Sequence, residues 1–306
     1  MPTHPQRRAL RKLSLSAGLT LLVASAVSPL VFWFGLAQLP SLEKIMDSNF
    51  LMILGGLVMF VPATALGLRL LPAWQRKQAL PFFKPENKPV AVFFAGVAIC
   101  YWGNFVTAFI VSMGARAGVE FHAPPMDTPQ SALSLLLMMV GVAVIPGVME
   151  ELLLRGVIMQ PLRIYGEGFA VVCSATLFAL MHMNMHQAPM AFVSGLALGW
   201  AAIRCKGLWV PIFIHFWNNA AVVLLRFLSE RLSEGAFGAI SLGYIIGITV
   251  LGAISLFVVV NTPKQRRFTR PQAIAPAPRA ALYLLGSIPM VLSLLWYFWG
   301  IWQMTN

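Results

Sequence analysis

The sequence predicts an all-α membrane protein, a polytopic bundle of about nine transmembrane helices. Of its 306 residues, 58% are hydrophobic and only 10% are charged, and a soluble domain of that size cannot bury so much apolar surface. The formal charge of +12 is carried by basic residues that stand between apolar runs instead of forming one patch. This arrangement argues against a nucleic-acid partner and is typical of membrane proteins.

Nine apolar runs are the candidate spans. The fifth and sixth are short, and the others reach the roughly 20 residues that a hydrocarbon core of about 30 Å requires. The first run continues through Phe32, Trp33 and Phe34, which makes it too long and too aromatic for a cleaved signal peptide, so we expect it to be retained. The runs cover residues 14–37, 50–71, 89–113, 131–154, 168–184, 188–203, 208–228, 239–260 and 280–302.

The basic residues predict the topology. If the N-terminus is cytoplasmic and the nine spans alternate, all but four of the 22 lysines and arginines fall on the cytoplasmic side, as the positive-inside rule favours. The exceptions are Lys44, Arg116, Arg226 and Arg231. We therefore expect a cytoplasmic N-terminus and an external C-terminus.

A cluster of charges, Glu150, Glu151 and Arg155, interrupts the fourth run. Ionisable groups inside a membrane helix cost several kcal/mol each, so they indicate a functional site by default. Glu151 and Arg155 stand four residues apart on one helix face, with the acid before the base, the favoured order. Glu150 points about 100° away and stays free of that pair. We predict that Glu151–Arg155 is a local clamp and Glu150 the working carboxylate; the alternative is an interfacial charge cluster that ends the helix.

Two further polar groupings lie in or near the fifth and seventh runs. Phe178, His182 and His186 follow one another at spacing four, and His215 and Asn219 have the same spacing. Residues four apart share a helix face. A histidine near a membrane helix end is commonly an interfacial residue, which is our interpretation of His186. His215 lies well inside its run, where a buried imidazole and the carboxamide beside it need the partners that a polar cavity between helices supplies.

Together these side chains supply the parts of a hydrolase. A glutamate can take a proton from water, and one histidine can orient that water or donate to the leaving amine. Another histidine and an asparagine can hydrogen-bond the oxyanion. The same groups suit a divalent metal, with Glu150, His182 and His215 as candidate zinc ligands. No His-Glu-x-x-His is present, so the spacing does not require zinc and both chemistries stay open.

The motifs Glu-Glu-x-x-x-Arg (150–155), Phe-x-x-x-His (178–182) and His-x-x-x-Asn (215–219) follow one another across successive apolar helices. In that order they resemble the CPBP (Abi) family of intramembrane proteases, which contains the type II CAAX prenyl endopeptidases and bacterial relatives. The resemblance covers about residues 131–228, the expected catalytic core, between flanking helices in 1–130 and 229–306.

The resemblance implies a helical bundle with a catalytic cavity inside the membrane. In that cavity Glu150 and His182 would activate water, while His215 and Asn219 would form the oxyanion site. Glu151 and Arg155 belong to the same expected site, and Phe178 is the expected substrate contact. The implied activity is endopeptidase cleavage of membrane-anchored peptides or proteins, in the bilayer of a bacterial plasma membrane. No cofactor is required by the sequence, with zinc as the open alternative.

Two other classes of protein compete with this interpretation. A transporter also uses intramembrane charges and helices broken by proline or glycine, but transporters commonly show two similar halves, and we find no internal repeat. A catalytically silent scaffold or immunity protein would keep the fold and tolerate the loss of Glu150.

One expectation conflicts with a shared cavity. Counted from the loop at Arg163, His182 lies near the far end of the fifth helix, while Glu150 lies toward the cytoplasmic end of the fourth. With a rise of about 1.5 Å per residue, the two are ~20 Å apart in depth. A fourth helix that continues to Gln160, or a sunk or tilted fifth helix, would remove the conflict.

Overall fold

A computed structural model describes residues 4–38, 48–124, 126–262 and 285–303, and all regular structure within these ranges is helical. The predicted fold class is therefore confirmed. The ten helices of the described ranges are α1 (4–37, made of His4–Leu22, Val23–Val27 and Ser28–Ala37), α2 (Ser48–Leu70), α3 (Ala73–Ala79), α4 (Pro89–Arg116), α5 (Ala132–Tyr165), α6 (Glu167–Met181), α7 (Ala188–Arg204), α8 (Trp209–Ser229), α9 (Glu234–Asn261) and α10 (Ile288–Gln303).

Each predicted span corresponds to a helix. Among the described residues, six helices are long and apolar enough to cross a membrane, namely α1, α2, α4, α5, α8 and α9, while α6 and α7 are shorter apolar helices, as predicted. The predicted start of the ninth span, at residue 280, lies outside the described residues, as do Lys44 and the basic segment 264–279. The chain is an integral membrane protein; the side on which its N-terminus lies stays a prediction.

Helix α3 lies in a segment, 71–88, that the sequence predicts to be a loop. It follows Pro72, whose fixed φ favours a helix start. The Arg76 side chain donates hydrogen bonds to the carbonyl oxygens of Arg69 (3.0 Å) and Leu71 (3.2 Å). These carbonyls lie at the C-terminal end of α2, where no helical N–H remains to pair with them. The short helix is thereby held against the end of α2.

Helix α5 runs on to Tyr165 instead of ending at residue 154. It begins at a capping box, in which Ser134 N–H donates to Ser131 Oγ at 3.1 Å and Ser131 N–H donates to Ser134 Oγ at 2.9 Å. It ends at Gly166, whose φ of +121° is accessible to glycine. Glu150 therefore lies near the middle of a 34-residue helix, which removes the expected conflict in depth with His182.

Helices α6 and α7 form a tight antiparallel pair. An ideal Cβ added to Gly195 of α7 would lie 2.8 Å from the Cα of Ala175 in α6, so a glycine is required for this approach. The connection is stabilised by Asn184, whose Oδ1 accepts from the backbone N–H of His186 at 2.8 Å.

Because α6 ends at Met181, His182 and His186 do not share a helix face, and the expected spacing-four pair of these histidines is wrong.

The loops separate into two sets at opposite ends of the bundle. At one end the segment after α3 meets the α7–α8 turn, where Lys206 Nζ lies 2.6 Å from Glu86 Oε2. At the other end Asn184 Nδ2 donates to His122 O at 3.0 Å, and Arg231 donates to Gln130 O at 2.7 Å. This separation is what alternating spans require.

Candidate active site

Glu151 and Arg155 form a fully buried ion pair within α5. Arg155 Nη1 lies 2.8 Å from Glu151 Oε1, and both side chains are 0% exposed. The predicted pair on one helix face is confirmed. Removing one partner of a buried pair leaves the other charge unpaired and costs about 3–5 kcal/mol, so the pair is a strong local constraint.

The pair also connects three helices, which the sequence does not reveal. Glu151 Oε1 accepts from His215 Nδ1 of α8 at 2.9 Å, and Arg155 Nη2 donates to Gly195 O of α7 at 3.2 Å. Helices α5 and α8 come close enough because Gly147 has no side chain: a Cβ there would lie 3.1 Å from the backbone nitrogen of Phe216. Glu151 therefore positions His215 as well as Arg155, and is more than a local clamp.

Glu150 lies on a different face of α5 and lines an open cavity. Its side chain is 16% exposed, and its Oε2 lies 3.8 Å from His215 Nε2, beyond direct hydrogen-bond distance. The imidazole of His215 thus lies between two carboxylates, with Nδ1 bonded to Glu151 and Nε2 facing Glu150. The two adjacent acids are separated as predicted, and one of them remains available to a molecule in the cavity.

The aromatic ring of Phe178 packs against Arg155 and both histidines of the site. The Arg155 guanidinium lies over this ring at 4.6 Å, and the rings of His182 and His215 meet its edge or face with centroids 4.9 and 5.5 Å away. Phe178 lines the cavity but is only 3% exposed. Phe178 therefore packs against its neighbours in the site and exposes little surface to the cavity. The predicted contact of Phe178 with substrate stays a prediction.

A backbone carbonyl near the end of α6 determines the tautomer of His182. Its Nδ1 lies 2.8 Å from the carbonyl oxygen of Phe178, and a carbonyl can only accept, so Nδ1 carries the hydrogen. In the neutral ring Nε2 then carries a lone pair. The ring lines the same cavity as Glu150, so this lone pair is suited to accept a hydrogen bond from water there.

Asn219 donates a hydrogen bond to a backbone carbonyl that a proline in the facing helix leaves unpaired. Pro146 of α5 has no N–H to pair with the carbonyl of Val142, four residues earlier, and Asn219 Nδ2 donates to that carbonyl at 2.9 Å. The Asn219 oxygen accepts from Asn218 at 3.4 Å. One N–H of Asn219 is left for another partner. Asn218 also lines the cavity; our interpretation of the sequence missed it, although its position beside Asn219 is a signal.

The cavity has a volume of about 390 Å³ and lies between α2, α4, α5, α6, α7 and α8. Its polar end carries Glu150, His182, His215, Asn218 and Asn219, and the rest of its wall is mainly apolar. Of the predicted site residues, Glu150, Phe178, His182, His215 and Asn219 therefore meet at one cavity, with Glu151 and Arg155 buried behind them. His186 does not line it.

The arrangement does not assemble a metal site. Within the described part of the chain, no group of three or more His, Cys, Asp or Glu side chains lies close enough to hold a metal ion. The predicted alternative set of Glu150, His182 and His215 is not gathered into such a group, and the dependence of the reaction on zinc stays a prediction.

Comparison with known proteins adds an independent observation. Residues 132–221 match the family model described as type II CAAX prenyl endopeptidase Rce1-like. The segment is thus similar to this family over 90 of the 306 residues. This confirms the resemblance deduced from the three motifs, all of which fall within the matched residues of α5 to α8.

The Rce1-like match covers only part of the chain, and a relative extends the similarity. A protein of Bacillus subtilis (strain 168) named "Putative membrane peptidase YdiL" is 24% identical over 210 residues, which cover 65% of this chain and 81% of that protein. No solved structure matches. Helices α2 and α4, which complete the wall of the cavity, lie outside the Rce1-like match.

Proposed function

We propose that the protein is an intramembrane endopeptidase that hydrolyses peptide bonds of membrane-associated peptides or proteins. The observation that carries the proposal is the meeting of Glu150 of α5, His182 at the end of α6, and His215 and Asn219 of α8 at one cavity of about 390 Å³. The Rce1-like match and the name of the Bacillus subtilis relative agree with a membrane peptidase.

Glu150 is the general base in this proposal. Its carboxylate faces the cavity and has no arginine or lysine bonded to it in the described residues. A water held between Glu150 and the Nε2 lone pair of His182 gives its proton to the carboxylate as its oxygen attacks the peptide carbonyl. The proton is then passed to the leaving amine, which completes hydrolysis.

Asn219 and His215 stabilise the oxyanion in this proposal. The second N–H of Asn219 is free of the Val142 carbonyl and is a fixed donor. His215 donates its Nδ1 hydrogen to Glu151, so donation from Nε2 requires the doubly protonated ring. Donors fixed before the reaction need no reorganisation as the charge develops, which is why they accelerate it.

Glu151 and Arg155 act as positioning residues. Glu151 holds His215 Nδ1 at 2.9 Å, and Arg155 holds Glu151 at 2.8 Å while its guanidinium lies over Phe178. Neither reaches the cavity wall. They set the orientation of His215 and Phe178, and through Phe178 that of His182.

The test is cleavage of a membrane peptide by purified protein in lipid nanodiscs, followed by mass spectrometry, with and without a chelator. Wild type should cleave, Glu150→Gln should not, and the exposed Glu234→Gln should cleave at the wild-type rate. Because the proposed reaction uses no metal ion, cleavage should persist in chelator. Full activity of Glu150→Gln would refute the proposed base, and loss of activity in chelator with recovery on added zinc would refute the metal-free reaction.

A further inference from the structure

A second cavity adjoins the catalytic one, between α1 and α2. It has a volume of about 540 Å³ and is lined by apolar side chains and glycines, with Ser48 at one end. Three residues, Met52, Gly56 and Met59, line both this cleft and the catalytic cavity. Two spaces that share three wall residues on one helix are neighbours, so only these residues of α2 separate the cleft from the catalytic cavity there. Both volumes are in the range of about 300–1,000 Å³ typical of ligand sites.

The shared wall is one face of α2. Ser48, Met52 and Gly56 are spaced by four residues and Met59 follows three later, so their side chains point the same way from the helix. Methionine is unbranched and flexible, and Gly56 has no side chain to block the passage. A Cβ added to Gly56 would have a single neighbour within 4 Å, Ile145 Cγ2 at 3.1 Å. The partition is therefore thin and deformable.

A third cavity, which is polar, lies at the start of α2. Ser48 lines both the apolar cleft and a cavity of about 520 Å³ whose other residues include Asp127, Thr128 and Gln130 from the loop before α5. Along α2 the polar cavity therefore comes first, and the apolar cleft and the catalytic cavity lie side by side from Met52 to Met59. A phospholipid would match the polar cavity and the apolar cleft, with its headgroup and an acyl chain, but would place no peptide bond in the catalytic cavity. A polypeptide with an apolar stretch next to a polar one matches all three.

We infer that the cleft between α1 and α2 is a substrate subsite that binds an apolar stretch of the substrate polypeptide, with Met52 and Gly56 controlling its passage into the catalytic cavity. The inference rests on the proposed peptidase function. From Ser48 to Met59 the helix rises about 16 Å, which an extended peptide spans in about five residues. The polar flank of a substrate should therefore lie about five residues from the bond that is cut.

The test compares two peptides. The long one has five apolar residues and then a polar flank on one side of the scissile bond; the short one lacks both. Met52→Trp fills the passage, and Leu57→Trp is the matched control, because Leu57 is on the same helix, is 38% exposed and lines neither space. Relative to wild type, Met52→Trp should slow cleavage of the long peptide at least ~10-fold more than cleavage of the short one. Leu57→Trp should match wild type on both.

Two further measurements distinguish a failure of the inferred subsite from misfolding of a variant and from a failure of the proposed function. Met52→Ala widens the passage and should increase cleavage of a long peptide whose apolar stretch contains tryptophan. A photoreactive phenylalanine analogue at Phe32 should crosslink to the long peptide and not to the short one, whether or not cleavage occurs. Equal cleavage of both peptides by Met52→Trp, or crosslinking of Phe32 to phospholipid alone, would overturn the subsite. If wild type cleaves neither peptide, the proposed function fails instead.

Discussion

Replacing Glu151 with glutamine is the most direct test of the role of the buried ion pair. The carboxylate is 0% exposed and lies between Arg155, at 2.8 Å, and His215, at 2.9 Å. The glutamine keeps the shape but removes the charge, which leaves the Arg155 guanidinium buried without a counter-ion. Breaking a buried pair in this way costs about 3–5 kcal/mol. For a chain of 306 residues, with an unfolding entropy of about 2.1 cal/mol/K per residue, 3 kcal/mol corresponds to a loss of roughly 5 °C in Tm.

The assay is thermal unfolding of purified protein in one detergent, with two comparisons. Glu167→Gln breaks a pair with the same spacing, Arg163–Glu167 at 2.7 Å, whose side chains are about 30% exposed; it should cost less than about 1 kcal/mol. Glu150→Gln should also leave Tm nearly unchanged while abolishing cleavage. If Glu151→Gln unfolds at the wild-type temperature while Glu150→Gln does not, our assignment of the two acids is reversed.

Three further outcomes are expected. Asn219→Ala should lower kcat by roughly 10²–10³-fold with little change in KM, because its donor acts on charge that develops in the transition state; an unchanged kcat would remove it from the oxyanion site. His215→Ala should combine with Asn219→Ala less than additively in kcat, since both act on one oxygen, and additive losses would separate their roles. Reporter fusions after Asn306 and within 264–279 should lie on opposite sides of the membrane, and a shared side would remove one predicted helix.

The sequence by itself determined the class of protein and the groups that form the site. Apolar runs of membrane length set the spans, because backbone groups in a bilayer must be paired within helices. The spacing of Glu151 and Arg155 is local to one helix, and residues four apart, acid before base, are expected to share a helix face. The three motifs likewise needed no tertiary information to indicate an Rce1-like domain.

Relations between helices were decided only by the tertiary structure. The bond of Glu151 to His215 depends on the approach of α5 and α8 at Gly147. The missing N–H of Pro146 is visible in the sequence, yet nothing there says that Asn219 satisfies the carbonyl it leaves free.

The length of α5 and the early end of α6 were decided in the same way. Continuation of α5 to Tyr165 brought Glu150 to the depth of His182, and the end of α6 at Met181 separated His182 from His186. Such outcomes depend on packing between segments far apart in the chain. Helical periodicity specifies which residues share a face, but the neighbour that a face meets is specified by the shapes of all the helices together.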